Sequence, residues 1–215
     1  MSKNLLWGEK AKVRTPHSTT TLIRSGKRTI LVDPGLPAAV LSARLYERSG
    51  LKAEAVDTIF LTSFRPAHRA GLAAFARARV LICERERETV RPYLEKMLEA
   101  MGDERDEQRT LVANELAILN ACEIAEDKIA AGVDLFPLPG FSEGTCGLLL
   151  TTSSLTVLVA GDGVPTQEHF LAGQVLPESQ DIAQAQESMR EVYEIADLVI
   201  PGHDNIFINP RMQGM

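Results

Sequence analysis

The chain has 215 residues, 45% of them apolar and 24% charged, with a formal net charge of −6. That length is enough for one sizeable core and short for two, and no biased tract argues for disorder. The mild acidic balance disfavours a nucleic-acid backbone as the main partner.

Met1 to Arg14 alternates charged and apolar residues without an apolar h-region, so no secretory leader is expected. The longest apolar runs are strand-length, so no transmembrane helix is expected either. Ser18 to Arg24 is rich in threonine and β-branched residues and reads as a strand. The turn Ser25-Gly26-Lys27 leads into a second strand, Arg28 to Val32, which predicts a hairpin. Asp33-Pro34-Gly35 ends it. A helix is expected from about Ala38 to Ser49, with Leu41 and Leu45 on one face and Gly50 as its stop. Thr58 to Leu61 is a short strand running into Thr62-Ser63-Phe64-Arg65, and Arg79 to Cys83 is another.

From Glu84 to about Glu123 the period becomes helical. Val90, Leu94, Met97 and Met101 share one stripe; after Gly102-Asp103, Val112, Leu116 and Leu119 repeat it. The pattern predicts an αα-hairpin at about 84–123. The run Glu84-Arg85-Glu86-Arg87-Glu88 reads as a solvated helix face. The two stripes exceed what one face of a small core needs, so part of the hairpin is expected to pack across a homodimer interface, the competing reading being a lid that folds over the chain's own pocket. Strands return at Lys128 to Leu138, Gly147 to Thr152 and Leu155 to Ala160. An amphipathic helix follows near Asp181 to Ala196, with Ile182, Ala185, Met189, Val192 and Ile195 on its stripe. A last strand, Leu198 to Ile200, runs into Pro201-Gly202-His203-Asp204. This order suits a single layered α/β domain over 1–215, with two sheets and helices outside.

Cys83, Cys122 and Cys146 are widely spaced and form no C-x-x-C pair. That argues against a disulfide framework or a thiolate zinc site, and for reduced, buried thiols in a cytoplasmic protein. Histidine is scarce. His17 precedes a strand and His169 lies in a helical stretch, Thr166 to Leu171. His68 and His203 sit at strand exits, and Asp162 follows the strand Leu155 to Ala160 through Gly161. Loops at the carboxyl ends of strands are where α/β sheets bind ligands. Two imidazoles and one carboxylate from three such loops make a candidate 2-His-1-carboxylate metal site with open positions.

Five segments, in order, resemble the metallo-β-lactamase fold superfamily over nearly the whole chain. Leu31-Val32-Asp33-Pro34-Gly35 is similar to its early strand and turn. Leu61 to Gly71 resembles the segment with the H-x-H-x-D-H signature. Pro139-Gly140-Phe141-Ser142-Glu143-Gly144 resembles the P-G-H-T-x-G turn, Val159-Ala160-Gly161-Asp162 the strand ending in the bridging aspartate, and Ile200 to Asp204 the final P-G-H turn. The resemblance implies a four-layer αββα sandwich with a metal-dependent hydrolase site.

The departures matter more for function. The first metal of the family takes two signature histidines and one from the P-G-H-T turn, where this sequence has Ser63, Arg65 and Phe141. A neutral hydroxyl, a permanent cation and a ring without a donor atom predict that this position is lost. Arg65 would pair with Asp162 in place of the divalent charge. At the second position the expected aspartate is Ala67, while His68, His203 and the bridging Asp162 remain. Two readings stay open. The three ligands hold a single zinc or iron ion, giving a mono-metal hydrolase of a small ester, lactone or thioester. Alternatively they are a hydrogen-bonded remnant without a metal, in a catalytically weak or silent member that binds a small molecule. A nuclease-type member is discounted, because such relatives usually carry an additional nucleic-acid-gripping domain, and neither the length nor a basic surface signature points to one here. No membrane partner is expected.

Overall fold

A computed structural model describes residues 17–101 and 107–214. Met1 to Arg14 and the Gly102-Asp103 turn lie outside the described residues.

The first sheet has the strand order β1 (Thr21–Ser25), β2 (Arg28–Val32), β3 (Thr58–Leu61), β4 (Arg79–Ile82) and β5 (Glu123–Ile124). The β1–β2 pair is the antiparallel hairpin; the other neighbours are parallel. The second sheet holds β6 (Lys128–Ala130), β7 (Val133–Pro137), β8 (Cys146–Thr151), β9 (Thr156–Gly161), β10 (Leu198–Pro201) and β11 (Phe207–Ile208), in the order β11-β10-β9-β8-β7-β6. Only its β9–β10 pair is parallel. The strand expected at Lys128 to Leu138 is therefore two. Gly132, at φ 67, turns the chain back between them, as a residue without Cβ does freely.

Strand alternation sorts the side chains into three apolar layers. Ile30, Val32, Phe60 and Leu81 of the first sheet meet Val133, Leu148 and Val159 of the second in the middle layer. Their sequence neighbours Leu31, Ile59, Leu61 and Ile82 face outward. There they are covered by α1 (Ala38–Ser49), α3 (Glu84–Ala100) and α4 (Glu107–Ala121) through Leu41, Leu45, Leu94, Val112 and Leu119. On the far side Leu158, Ala160 and Val199 pack with Phe170 of α5 (Gln167–Ala172) and with Met189 and Val192 of α6 (Ile182–Ile195). The result is helices, sheet, sheet, helices. Central strands buried on both faces explain why β3 reads as an unbroken apolar run.

Local signals set the helix ends. Gly50 closes α1 in a left-handed conformation, its N–H donating to Tyr46 O. Asp181 caps α6 by accepting from the Gln184 amide at 2.9 Å. The hairpin of α3 and α4 spends its stripes on the first sheet of its own chain, with Val90, Met97, Met101 and Leu116 flanking that cluster. Ile182, expected on the buried stripe of α6, is instead 43% exposed at the start of the helix. Among the described residues no helix is long and apolar enough to cross a membrane.

Candidate metal and ligand site

The carboxyl ends of β3, β9 and β10 converge where the two sheets meet. The approach is close: a Cβ on Gly161 would lie 2.3 Å from Thr62 Oγ1, and one on Gly202 would lie 2.7 Å from Gly161 O. Gly161 also has φ 53. Only glycine satisfies both demands there. The loop after β3 forms the short α2 (Pro66–Arg69), with proline at its start, and carries His68. The turn after β9 carries Asp162, and the turn after β10 carries His203.

These three side chains, proposed from the sequence, lie together. His68 Nε2 is 2.9 Å from Asp162 Oδ2, and His203 Nε2 is 2.8 Å from Asp162 Oδ1. Their ligand-capable atoms all fall within 4.8 Å of one another. The two imidazole rings meet edge to face at 5.7 Å. Each distal nitrogen is held as well. His68 Nδ1 lies 2.8 Å from Asp33 Oδ2, and His203 Nδ1 lies 3.0 Å from the carbonyl of the exposed His17. This fixes both rings with Nε2 toward Asp162, as outer partners orient histidine ligands.

Sequence reasoning misses Asp33 as a site residue. It follows the last residue of β2 at φ 49, uncommon for a residue with a side chain. Its carboxylate accepts from the Thr62 amide at 2.9 Å and from the Thr62 hydroxyl at 2.7 Å. The signal for it is the Asp-Pro-Gly strand end, a position the resemblance marks without assigning a ligand.

Electrostatics follow from this packing. Burial opposes a charge on His68, yet Asp33 and Asp162 on either side of the ring outweigh it and raise the pKa to about 10. Both ring nitrogens face carboxylates, so the ring is an imidazolium at neutral pH. Asp162 is buried, which favours its neutral form. The charge of His68 and the hydrogen bonds from both histidines win and hold its carboxyl well below the usual range.

Arg65 completes the cluster. Its Nη1 donates to Asp162 Oδ2 at 3.0 Å, and its guanidinium stacks on the Phe141 ring at 4.7 Å. Arg65 and Phe141, which the sequence reading expects to stand where metal ligands are lost, thus pack on each other. Ser63 is fully buried, and among the described residues nothing hydrogen-bonds its Oγ. Ala67 is half-buried, and its carbonyl accepts from the Ser18 amide at 3.1 Å. His169 is buried beside Thr166, with its Nδ1 2.7 Å from the hydroxyl; burial lowers its pKa.

Glu86 corrects the reading of Glu84 to Glu88 as a solvated face. It is only 3% exposed. Its carboxylate accepts from the Phe64 amide at 2.8 Å and from the Ser142 hydroxyl at 2.5 Å. Burial raises its pKa against those hydrogen bonds. It braces the two loops that carry Arg65 and Phe141.

The family profile of the metallo-beta-lactamase superfamily matches residues 14–203. The chain belongs to the metallo-beta-lactamase superfamily. No curated protein matches it. Among solved structures, AidC, a dizinc quorum-quenching lactonase, is similar with TM-score 0.69 at 14% identity, over 88% of this chain and 74% of AidC. A Thermotoga maritima protein assigned to the metallo-beta-lactamases gives TM-score 0.65 at 18% identity, over 93% of both chains. A point mutant of AiiA from B. thuringiensis, with N-decanoyl-L-homoserine bound at its active site, gives 0.59 at 20%, over 90% and 82%. At these identities the likeness speaks for the superfamily's fold.

Proposed function

We propose that this chain is a ligand-binding member of the superfamily in which Arg65 takes over the charge of the first metal, and that it hydrolyses its relatives' substrates weakly or not at all. The carrying observation is the 3.0 Å ion pair from Arg65 to Asp162, backed by the Phe141 ring under the guanidinium. The residues Ser63, Arg65 and Phe141 do not fit a metal. A buried hydroxyl is a poor neutral ligand, a guanidinium repels a cation, and a phenyl ring offers no lone pair. A divalent ion there would have to share Asp162 with the Arg65 guanidinium. The Arg65 side chain is one-third exposed, which leaves N–H donors for a small carboxylate or phosphate ligand.

One observation favours a second reading, a mono-metal hydrolase of a small ester, lactone or thioester: the cluster of His68, Asp162 and His203. By donor type these residues fit a single zinc or iron ion. Such an ion supplies a Lewis acid and an ionised water when bound. The chain's part would be to orient the two imidazoles through Asp33 and the His17 carbonyl. Ala67 leaves the set short of an anionic ligand, which weakens affinity. Similarity to lactonases puts lactones first among substrates to test.

Three free, buried thiols suit a reducing compartment, and we assign the protein to the cytoplasm with no nucleic-acid or membrane partner. The test is turnover by protein purified without chelators on lactones, esters, thioesters, phosphodiesters and β-lactams. The proposal expects no metal-dependent turnover. Robust hydrolysis that disappears with chelator and with His203→Ala would replace it by the mono-metal hydrolase.

A further inference from the structure

The fold brings together two thiols that are far apart in sequence. Cys83 follows the last residue of β4, and Cys146 opens β8. Leu61 and Ile82 are partners in the parallel β3–β4 register, so Thr62 and Cys83 come next on adjoining strands. The Cys146 amide donates to the Thr62 carbonyl at 3.0 Å, which seats β8 at the same spot. Both cysteines belong to the apolar layer between the sheets, and each thiol is the strongest influence on the other's ionisation. Cys122 lies apart, in the layer between the first sheet and its helices.

The two thiols are not equivalent. Cys146 is 1% exposed and Cys83 is 9% exposed, so Cys83 lies nearer the surface. Cys83 also stands at the N-cap of α3, where the helix dipole favours a thiolate. Contact with Cys146 lowers the Cys83 pKa, helped by the Arg85 and Glu86 amides. Contact with Cys83, and then burial, raise that of Cys146.

We propose that Cys83 and Cys146 form a redox site, in which Cys83 reacts with a hydroperoxide and Cys146 resolves the product to an intramolecular disulfide that joins the two sheets. With hydrogen peroxide the Cys83 sulfur attacks one oxygen and the O–O bond breaks. The thiol proton leaves with the departing oxygen as water, and Cys83 becomes a sulfenic acid. The Cys146 sulfur then attacks the Cys83 sulfur and the S–O bond breaks. A second water leaves with the Cys146 proton. Two thiols are oxidised by two electrons in all, and one peroxide is reduced to two waters. A small thiol reopens the bond by exchange. Such transient disulfides are the kind found in reducing compartments. The bond would tie the start of α3, which carries Glu86, to the strand following Thr145. Glu86 braces Phe64 and Ser142, so the oxidation state reaches the loops holding Arg65 and Phe141.

The test treats the folded full-length chain with hydrogen peroxide, alkylates it in denaturant and maps the peptides without reduction. The expected result is a Cys83–Cys146 link, an alkylated Cys122 and reversal by dithiothreitol. In Cys146→Ser, Cys83 is expected to stop at a sulfenic acid that dimedone traps. Should that variant not fold, dimedone added to wild type during oxidation serves instead: it should label Cys83 and lower the yield of the link. Three alkylated thiols after peroxide, a link involving Cys122, or sulfinic acid at Cys83 without a link would overturn the proposal. Dimedone on Cys146 in place of Cys83 would overturn the assigned order of attack.

Discussion

At His68 one buried ring carries both protons because a carboxylate faces each nitrogen. Its folded pKa of about 10 stands above the ordinary 6.5. Between those values the folded chain keeps a proton that the unfolded chain has released. Unfolding then releases protons, so the ring's contribution to stability is full below pH 6.5 and is lost as pH rises through about 10. Asp162 has the opposite sense. Its depressed pKa contributes above the ordinary 3.8 and is lost as pH falls through the folded value. Urea midpoints across pH should therefore decline from about pH 6.5 to about pH 10, and the decline should be blunted in His68→Gln. A midpoint that holds level over that range would mean that Nε2 carries no proton, as when a metal occupies it. The nearness of His68, Asp162 and His203 was legible in the sequence because each lies past the carboxyl end of an apolar strand. Asp33 was not, since a strand-ending aspartate before proline and glycine looks like any turn until its partner is placed.

At the scale of elements, the loops bearing Arg65 and Phe141 depend on the first turn of α3. Gly144 packs against it so closely that a Cβ would lie 1.9 Å from the Glu86 amide. Glu86 then satisfies the Phe64 amide and the Ser142 hydroxyl together. Glu86→Leu is expected to destabilise the chain by about 1–3 kcal/mol, because the buried Phe64 N–H loses its acceptor. Glu86→Gln keeps an acceptor oxygen and should cost less. Chemical denaturation of both variants checks this; equal losses would mean that Glu86 acts through packing alone. Sequence pattern hid Glu86 among four other charges, because helical periodicity shows which face is apolar and not which single charge turns inward. Arg69 is a similar case. It is buried, donates to the Phe64 carbonyl at 3.0 Å, stacks on the Phe64 ring at 4.1 Å and pairs with Glu115 of α4. It ties the hairpin to the signature loop, a contact no local spacing announces.

For the whole molecule the layered order was legible, since alternation in the strands and the 3.6 period in α3, α4 and α6 each mark a buried face. The turn that splits β6 from β7 and the two-residue strands β5 and β11 were not, because so short a ladder leaves no pattern. Most of the apolar stripe of the hairpin covers the first sheet. Tyr93 and Leu111 remain 64% and 60% exposed on it, and we propose that they mark what a second copy would cover. Light scattering at micromolar concentration should give the dimer mass; the monomer mass would remove the proposal.

On the proposed reading a fixed cation, Arg65, holds Asp162 in place of the first metal. Zinc content after purification without chelator tests it, with wild type set against a variant carrying Ser63→His, Arg65→His, Ala67→Asp and Phe141→His. At most one zinc per wild-type chain is expected, none of it held at positions 63, 65 and 141, and a further zinc in the variant. Two zinc ions in the wild type, one of them at those positions by anomalous scattering, would contradict it.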